Sequence, residues 1–137
     1  MTTKPRLYDI SRDLRNGMAV WPGDKDFALT PNGSIAEGGP VNVSTLFLSS
    51  HSGTHVDAPY HFEDDAATLE QVDLSAYWGL AQVVTVTKEA GPLVPADFEG
   101  YDLSLAPRLL VHSALSAADM AVFHEEFVYP SPELAGY

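Results

Sequence analysis

The sequence predicts a single mixed α/β domain spanning residues 1–137, and three observations carry that expectation. A chain of 137 residues is long enough for one domain with a real core and too short for two ordinary ones. An apolar fraction of 45% belongs to a globular chain and not to a disordered one. Short β-branched and aromatic runs alternate with short helix-start signals, punctuated throughout by Gly, Pro and Asn.

Taken in order, Leu7 to Ser11 reads as a first short strand, followed by charged Arg12, Asp13 and Arg15 and a turn at Asn16-Gly17. Trp21-Pro22-Gly23-Asp24 has Pro at i+1 and Gly at i+2, the chemistry of a type II turn, and a Trp in that place is by itself a core plug. Phe27 to Thr30 is a second short strand, and Pro31 to Pro40 a Gly-rich loop. Val41 to Leu48 is a β-rich run bounded upstream by Gly38-Gly39-Pro40. Thr68 to Gln71 fits a capping box, and Ser75 to Gly79 reads as a helical turn ending at glycine. Leu80 to Thr87 is the strongest buried-strand candidate, ended by a turn over Lys88 to Pro92. Pro95 opens a short helix, Arg108 to His112 is another strand, and Ser116 caps a helix over Ala117 to Phe123. Ser131-Pro132-Glu133 is a well-formed helix start with only four residues after it. Since an isolated helix needs about 12 to 15 residues, that signal leads to the expectation of a longer parent chain.

The chemistry is concentrated in His51-Ser-Gly-Thr-His55-Val-Asp57-Ala-Pro59-Tyr-His61-Phe62, where three of the five histidines fall. If the preceding strand continues, His51, His55 and Asp57 share parity and project from one face. Two imidazoles and a carboxylate are the ligand set of a catalytic divalent ion that keeps one position for water. Such ligands suit Zn²⁺ or Mn²⁺ without deciding between them. Gly53 lets the backbone bend between the imidazoles, and Pro59 turns the chain so that His61 points back as general acid/base. A cluster left unpaired would cost desolvation and repel when charged. Lone His112 and His124 are read as hydrogen-bonded structural residues, and Glu63-Asp64-Asp65 as a solvated acidic loop. Asp57 also has the position of an Asx-turn former before Pro59.

This signature resembles that of the cyclase-like metal hydrolase family, whose best understood members are the bacterial kynurenine formamidases. Gly17-Met-Ala-Val-Trp21-Pro-Gly-Asp24 resembles the family's second motif, and Leu7-Tyr-Asp-Ile-Ser11 its opening strand. The resemblance implies a fold of the swivelling β/β/α type, with metal held by His51, His55 and Asp57 and Asp57 bridging toward a second ion. It implies proton transfer by His61, and contact of Trp21 with an aromatic substrate. It further implies a homo-oligomer, a homodimer in the simplest case. In relatives a further His and a Glu from the last third or so complete the second metal position. This sequence ends before that region, so the domain is expected to be truncated at its C-terminus and one ion is supported by the residues present.

The expected activity is hydrolysis of N-formyl-L-kynurenine to L-kynurenine and formate. Its alternatives are hydrolysis of a cyclic amide such as isatin or of a lactone, or a metal-binding fragment without turnover. A formal charge of −12 argues against nucleic acid or an anionic membrane as partner. The absence of cysteine excludes a disulfide framework and thiolate chemistry. No signal-type apolar segment opens the chain and nowhere do about 18 consecutive apolar residues occur, so a cytoplasmic protein acting on a small molecule is expected.

Overall fold

The computed structural model describes residues 6–119 and 121–136. The fold is mixed, with six short strands, a series of single 3₁₀ turns and one short helix among the described residues. Two compact units share the chain: Met1–Val56 with Met120–Phe123, and Asp57–Asp119 with His124–Tyr137.

In the first unit, β1 (Ala28–Gly33) and β2 (Val43–Phe47) form an antiparallel two-stranded sheet in which Leu29 faces Leu46 and Thr30 faces Thr45. The register shifts between Pro31 and Gly33. The loop between the strands is closed from within. Asn42 accepts from the Ile35 N–H at 2.9 Å, and the Gly39 N–H donates to Ser34 O at 2.9 Å. Upstream, Asn16 ties its own segment to β1: its Oδ1 accepts from the Leu29 N–H at 2.7 Å and its Nδ2 donates to Leu29 O at 3.3 Å. Both sequence-predicted turns form, Met18 N–H on Arg15 O at 3.1 Å and Asp24 N–H on Trp21 O at 2.9 Å, with Gly23 at φ 96° as a type II turn requires.

In the second unit, β3 (Gln82–Thr85) pairs in parallel with β5 (Leu109–His112), and β4 (Gly91–Leu93) in parallel with β6 (Val128–Pro130). The core is built from Val84, Val86, Leu93 and Phe98, flanked by Leu103, Val128 and Leu134. Val84 and Val86 share strand parity, which is why one side of this run is buried while Val83, of the opposite parity, is 64% exposed. The Tyr101 hydroxyl brackets the end of β3, accepting from the Thr85 N–H at 3.1 Å and donating to Thr85 O at 3.0 Å. At the chain's end α1 (Pro132–Ala135) begins at Ser131, whose Oγ accepts from the Leu134 N–H at 3.0 Å. Ser at N-cap and Pro at N1 thus act as the sequence indicates.

Several expectations are corrected. Leu7 to Ser11 makes no strand; Leu7 is 97% exposed, and Asp9 Oδ1 takes the Ser11 N–H at 2.9 Å, a local turn bond in place of a ladder. The run Leu80–Thr87 is half-buried, not buried throughout. Residues 91–93 and 128–130 pair as strands, where the sequence indicates a turn at the first and no element at the second. The predicted helix over Ala117–Phe123 is replaced by a 3₁₀ turn at Ala114–Ala117 headed by Ser113, whose backbone N–H donates to Ser116 Oγ at 3.2 Å. Ala118 and Asp119 are not helical, and Met120 lies outside the described residues. The other predicted helical starts become single 3₁₀ turns, at Leu69–Gln71, Leu74–Ala76 and Pro95–Phe98.

Candidate metal centre

The chain leaves β2 at Phe47 and, contrary to the parity expectation, does not continue extended through the histidines. Ser49 to Gly53 turn, with the Ser52 N–H on Ser49 O at 3.1 Å and Gly53 at φ 66°. Small hydroxyl residues before a glycine favour such a turn over a ladder. The turn is anchored from the tryptophan motif: Ser49 Oγ donates to Asp24 Oδ2 at 2.7 Å and accepts from the His51 N–H at 3.2 Å. On its other flank Thr54 Oγ1 accepts from the Arg12 N–H at 2.8 Å. Glycine is favoured there by its positive φ, and a Cβ would in addition oblige the Leu14 side chain to move aside.

This turn, and not a shared strand face, brings the first two histidines together. His51 Nδ1 and His55 Nε2 stand 3.2 Å apart, with ring centroids 5.2 Å apart at 70°. Two imidazole nitrogens on one tetrahedral ion at Zn–N of 2.0–2.1 Å would be separated by about 3.3 Å, so the pair fits a shared ion. The other nitrogen of His55, Nδ1, is 3.0 Å from Gly53 O. An Nδ1–H donated to that carbonyl fixes the tautomer and turns the Nε2 lone pair toward His51, as metal-ligating histidines require. His51 is half-buried and His55 exposed, so water reaches the pair.

In the second unit, Asp57 and His61 each offer a ligand atom, and these lie within 4.8 Å of one another. Pro59 sits at the first position of the 3₁₀ turn Pro59–His61, and the His61 N–H donates to Ala58 O at 2.9 Å. That turn folds His61 back toward Asp57, as the Pro59 argument anticipates. The His61 ring lies edge-on to Phe62 at 4.4 Å. Glu63, Asp64 and Asp65 are exposed. His124 Nε2 lies 2.8 Å from Asp119 O, a structural role of the kind expected. Trp21 is 56% exposed and meets Phe123 edge-on at 5.3 Å, so it is not a core plug. The tie between Asp24 and Ser49 was not legible in the sequence, since the two residues are 25 positions apart and neither carries a metal-ligand pattern.

With this geometry established, comparison with known proteins is direct. Residues 8–126 match the family model described as "Putative cyclase". The chain belongs to the cyclase family. Its relatives include the kynurenine formamidases of Erythrobacter litoralis, 40% identical over 67% of this chain and 43% of the relative, and of Geobacillus thermodenitrificans, 34% identical over 94% and 61%. That of Bacillus cereus is 37% identical over 77% of this chain and 50% of the relative. Among solved structures, one titled a potential metal-dependent hydrolase with cyclase activity aligns with a TM-score of 0.74 and 26% identity, over 93% of this chain and 59% of its own. The chain spans about half the length of the curated relatives it matches. Among the described residues, no helix is long and apolar enough to cross a membrane.

Proposed function

We propose that this cyclase-family chain is a metal-dependent amidohydrolase acting on an N-formyl aryl amide, N-formyl-L-kynurenine being the substrate most consistent with the relatives' names. The observation that carries the reading is the 3.2 Å approach of His51 Nδ1 and His55 Nε2, with His55 Nδ1 set on the Gly53 carbonyl. His51, His55 and Asp57 would hold the ion, zinc or manganese. Bound there, a divalent cation supplies Lewis acidity, bringing the pKa of water toward about 7 and polarising the formyl carbonyl. The chain's own residues do the rest. His61 accepts a proton at a ring nitrogen from the attacking water and returns it to the departing aniline nitrogen. Trp21, more than half exposed, offers its ring face to the aryl group. Formate and the free amine leave. The chain works as a homo-oligomer in the cytoplasm on this reading. Hydrolysis of a cyclic amide is the second reading, favoured by the cyclase activity in the solved neighbour's title.

The test is turnover of N-formyl-kynurenine by the metal-loaded chain. His61→Ala should lower kcat at least ~100-fold, the usual scale of general acid–base catalysis, and Trp21→Ala should raise KM more than it lowers kcat. Metal binding with no hydrolysis of any linear amide, ester or lactam would refute the proposal.

A further inference from the structure

Ser49 makes three hydrogen bonds that together shape the turn leading into the histidines. Its backbone carbonyl accepts from the Ser52 N–H at 3.1 Å, its Oγ accepts from the His51 N–H at 3.2 Å, and its hydroxyl donates to Asp24 Oδ2 at 2.7 Å. The first two are local, of the kind a serine makes to backbone groups two or three residues on. The third is not, since Asp24 lies 25 positions earlier in the chain.

That third bond decides how the second is made. A serine hydroxyl has one proton and two lone pairs and rotates to suit its neighbours, whereas an ionised carboxylate only accepts. With Asp24 Oδ2 taking the proton, the lone pairs of Ser49 Oγ are left for the His51 N–H. A bond to a carboxylate is charge-assisted and so the stronger of the two, and a hydroxyl that donates to such a group becomes a better acceptor in turn. Asp24 and Ser49 are both half-buried, so water competes less for them than at an open surface. Asp24 is itself fixed: its N–H donates to Trp21 O at 2.9 Å in the turn that Gly23 closes at φ 96°.

We propose that Asp24 is a positioning residue for the metal centre, acting through Ser49 to fix the backbone of His51 so that Nδ1 meets His55 Nε2 at the 3.2 Å that one shared ion requires. This rests on the metal-hydrolase reading above and adds to it a residue that reaches the ion through two hydrogen bonds and not as a ligand. Groups that orient metal ligands typically cost roughly 10–100-fold in metal affinity when removed. Because the same turn presents Trp21, the ring assigned to the aryl group and the histidines assigned to the ion share one anchor.

Two readouts on the full chain test the assignment: zinc affinity by competition against a chromophoric chelator, and the d–d absorption of bound Co²⁺, which reports ligand geometry. Asp24→Ala and Ser49→Ala should each lower zinc affinity roughly 10–100-fold and shift the Co²⁺ bands. The double variant should lose no more than the worse single one, because the two groups act in one chain of bonds. Asp24→Asn keeps an acceptor without the charge and should fall between wild type and Asp24→Ala, while Ser49→Thr keeps the hydroxyl and should retain most of the affinity. Asp26→Asn removes an equal charge from an exposed position two residues away and should leave zinc affinity unchanged. Urea unfolding of the metal-free chain separates these effects from loss of the fold. Where an alanine variant does not fold, Ser49→Thr against Ser49→Val, alike in shape and different in the hydroxyl, makes the same comparison. Additive losses in the double variant, or wild-type zinc affinity in Ser49→Ala, would overturn the positioning role and leave the metal-hydrolase reading standing. So would a loss in Asp24→Asn as deep as in Asp24→Ala with Ser49→Ala unaffected, since Asp24 would then act by charge alone. A wild type that takes up no zinc would overturn the metal reading and this role with it.

Discussion

Replacing Gly53 by alanine tests the local architecture of the histidine pair. The residue sits at φ 66°, and a Cβ there would overlap the Leu14 side chain. Placing an L-residue in the left-handed region costs about 1–2 kcal/mol. Leu14 is 43% exposed and has room to rotate aside, at about 0.5–1.5 kcal/mol if it leaves its rotamer. The sum is near ~2 kcal/mol, and it must be expressed in one of two ways. If the turn holds, stability falls by that amount. If the backbone instead leaves the left-handed region, the Gly53 carbonyl moves off His55 Nδ1, and affinity for the ion falls up to ~30-fold at 1.4 kcal/mol per decade. Urea unfolding of the metal-free chain and zinc competition against a chromophoric chelator measure the two together. Leu14→Ala combined with Gly53→Ala should recover the rotamer share of the loss and leave the backbone share. Unchanged stability together with unchanged zinc affinity in Gly53→Ala would refute the reasoning.

Two further predictions concern the second unit. Phe98 is 3% exposed in the cluster with Val84, Val86 and Leu93, so Phe98→Ala should cost about 3–5 kcal/mol, read as a drop in the urea midpoint; a loss under 1 kcal/mol would mean that this cluster is not the unit's core. The Asp97 carboxyl is held below the ordinary carboxylate range, first by the Val94 N–H at 2.8 Å and then by Lys88 at 3.1 Å. Its folded pKa is thus lower than its unfolded one, so its contribution is present above the unfolded value near ~3.9 and is lost as pH falls through the folded value. Asp97→Asn should therefore be less stable than wild type at neutral pH, and the gap should close on acidification; parallel stability profiles down to strong acid would count against it.

How much the sequence revealed depended on whether a signal was local. Val43 to Phe47, Gln82 to Thr85 and Leu109 to His112 are strands because β-branched and aromatic residues suit a pleated surface, and each lies inside a run recognised from composition. Gly91–Leu93 and Val128–Pro130 each contain a proline and only three residues. They are strands only because each pairs in parallel with the other, and no local pattern records a partner 37 positions away, as in Gly91↔Val128. Leu7 to Ser11 failed in the opposite sense, with good strand residues but no pairing partner among the described residues. At the candidate site the residue types were legible and the geometry was not. The spacing of His51, His55 and Asp57 suits a strand face, yet the Ser49–Gly53 turn and the left-handed Gly53 set the histidines side by side. Pro59 acted as read, because a fixed φ at the first turn position is a property of one residue.

The measurement that bears most directly on the central claim is metal stoichiometry on exhaustively dialysed protein, wild type beside His55→Ala. The account expects at least one divalent ion per wild-type chain and its loss when His55, whose Nε2 stands 3.2 Å from His51 Nδ1, is removed. A wild type that binds no ion, or a His55→Ala variant that keeps the full complement, would contradict it.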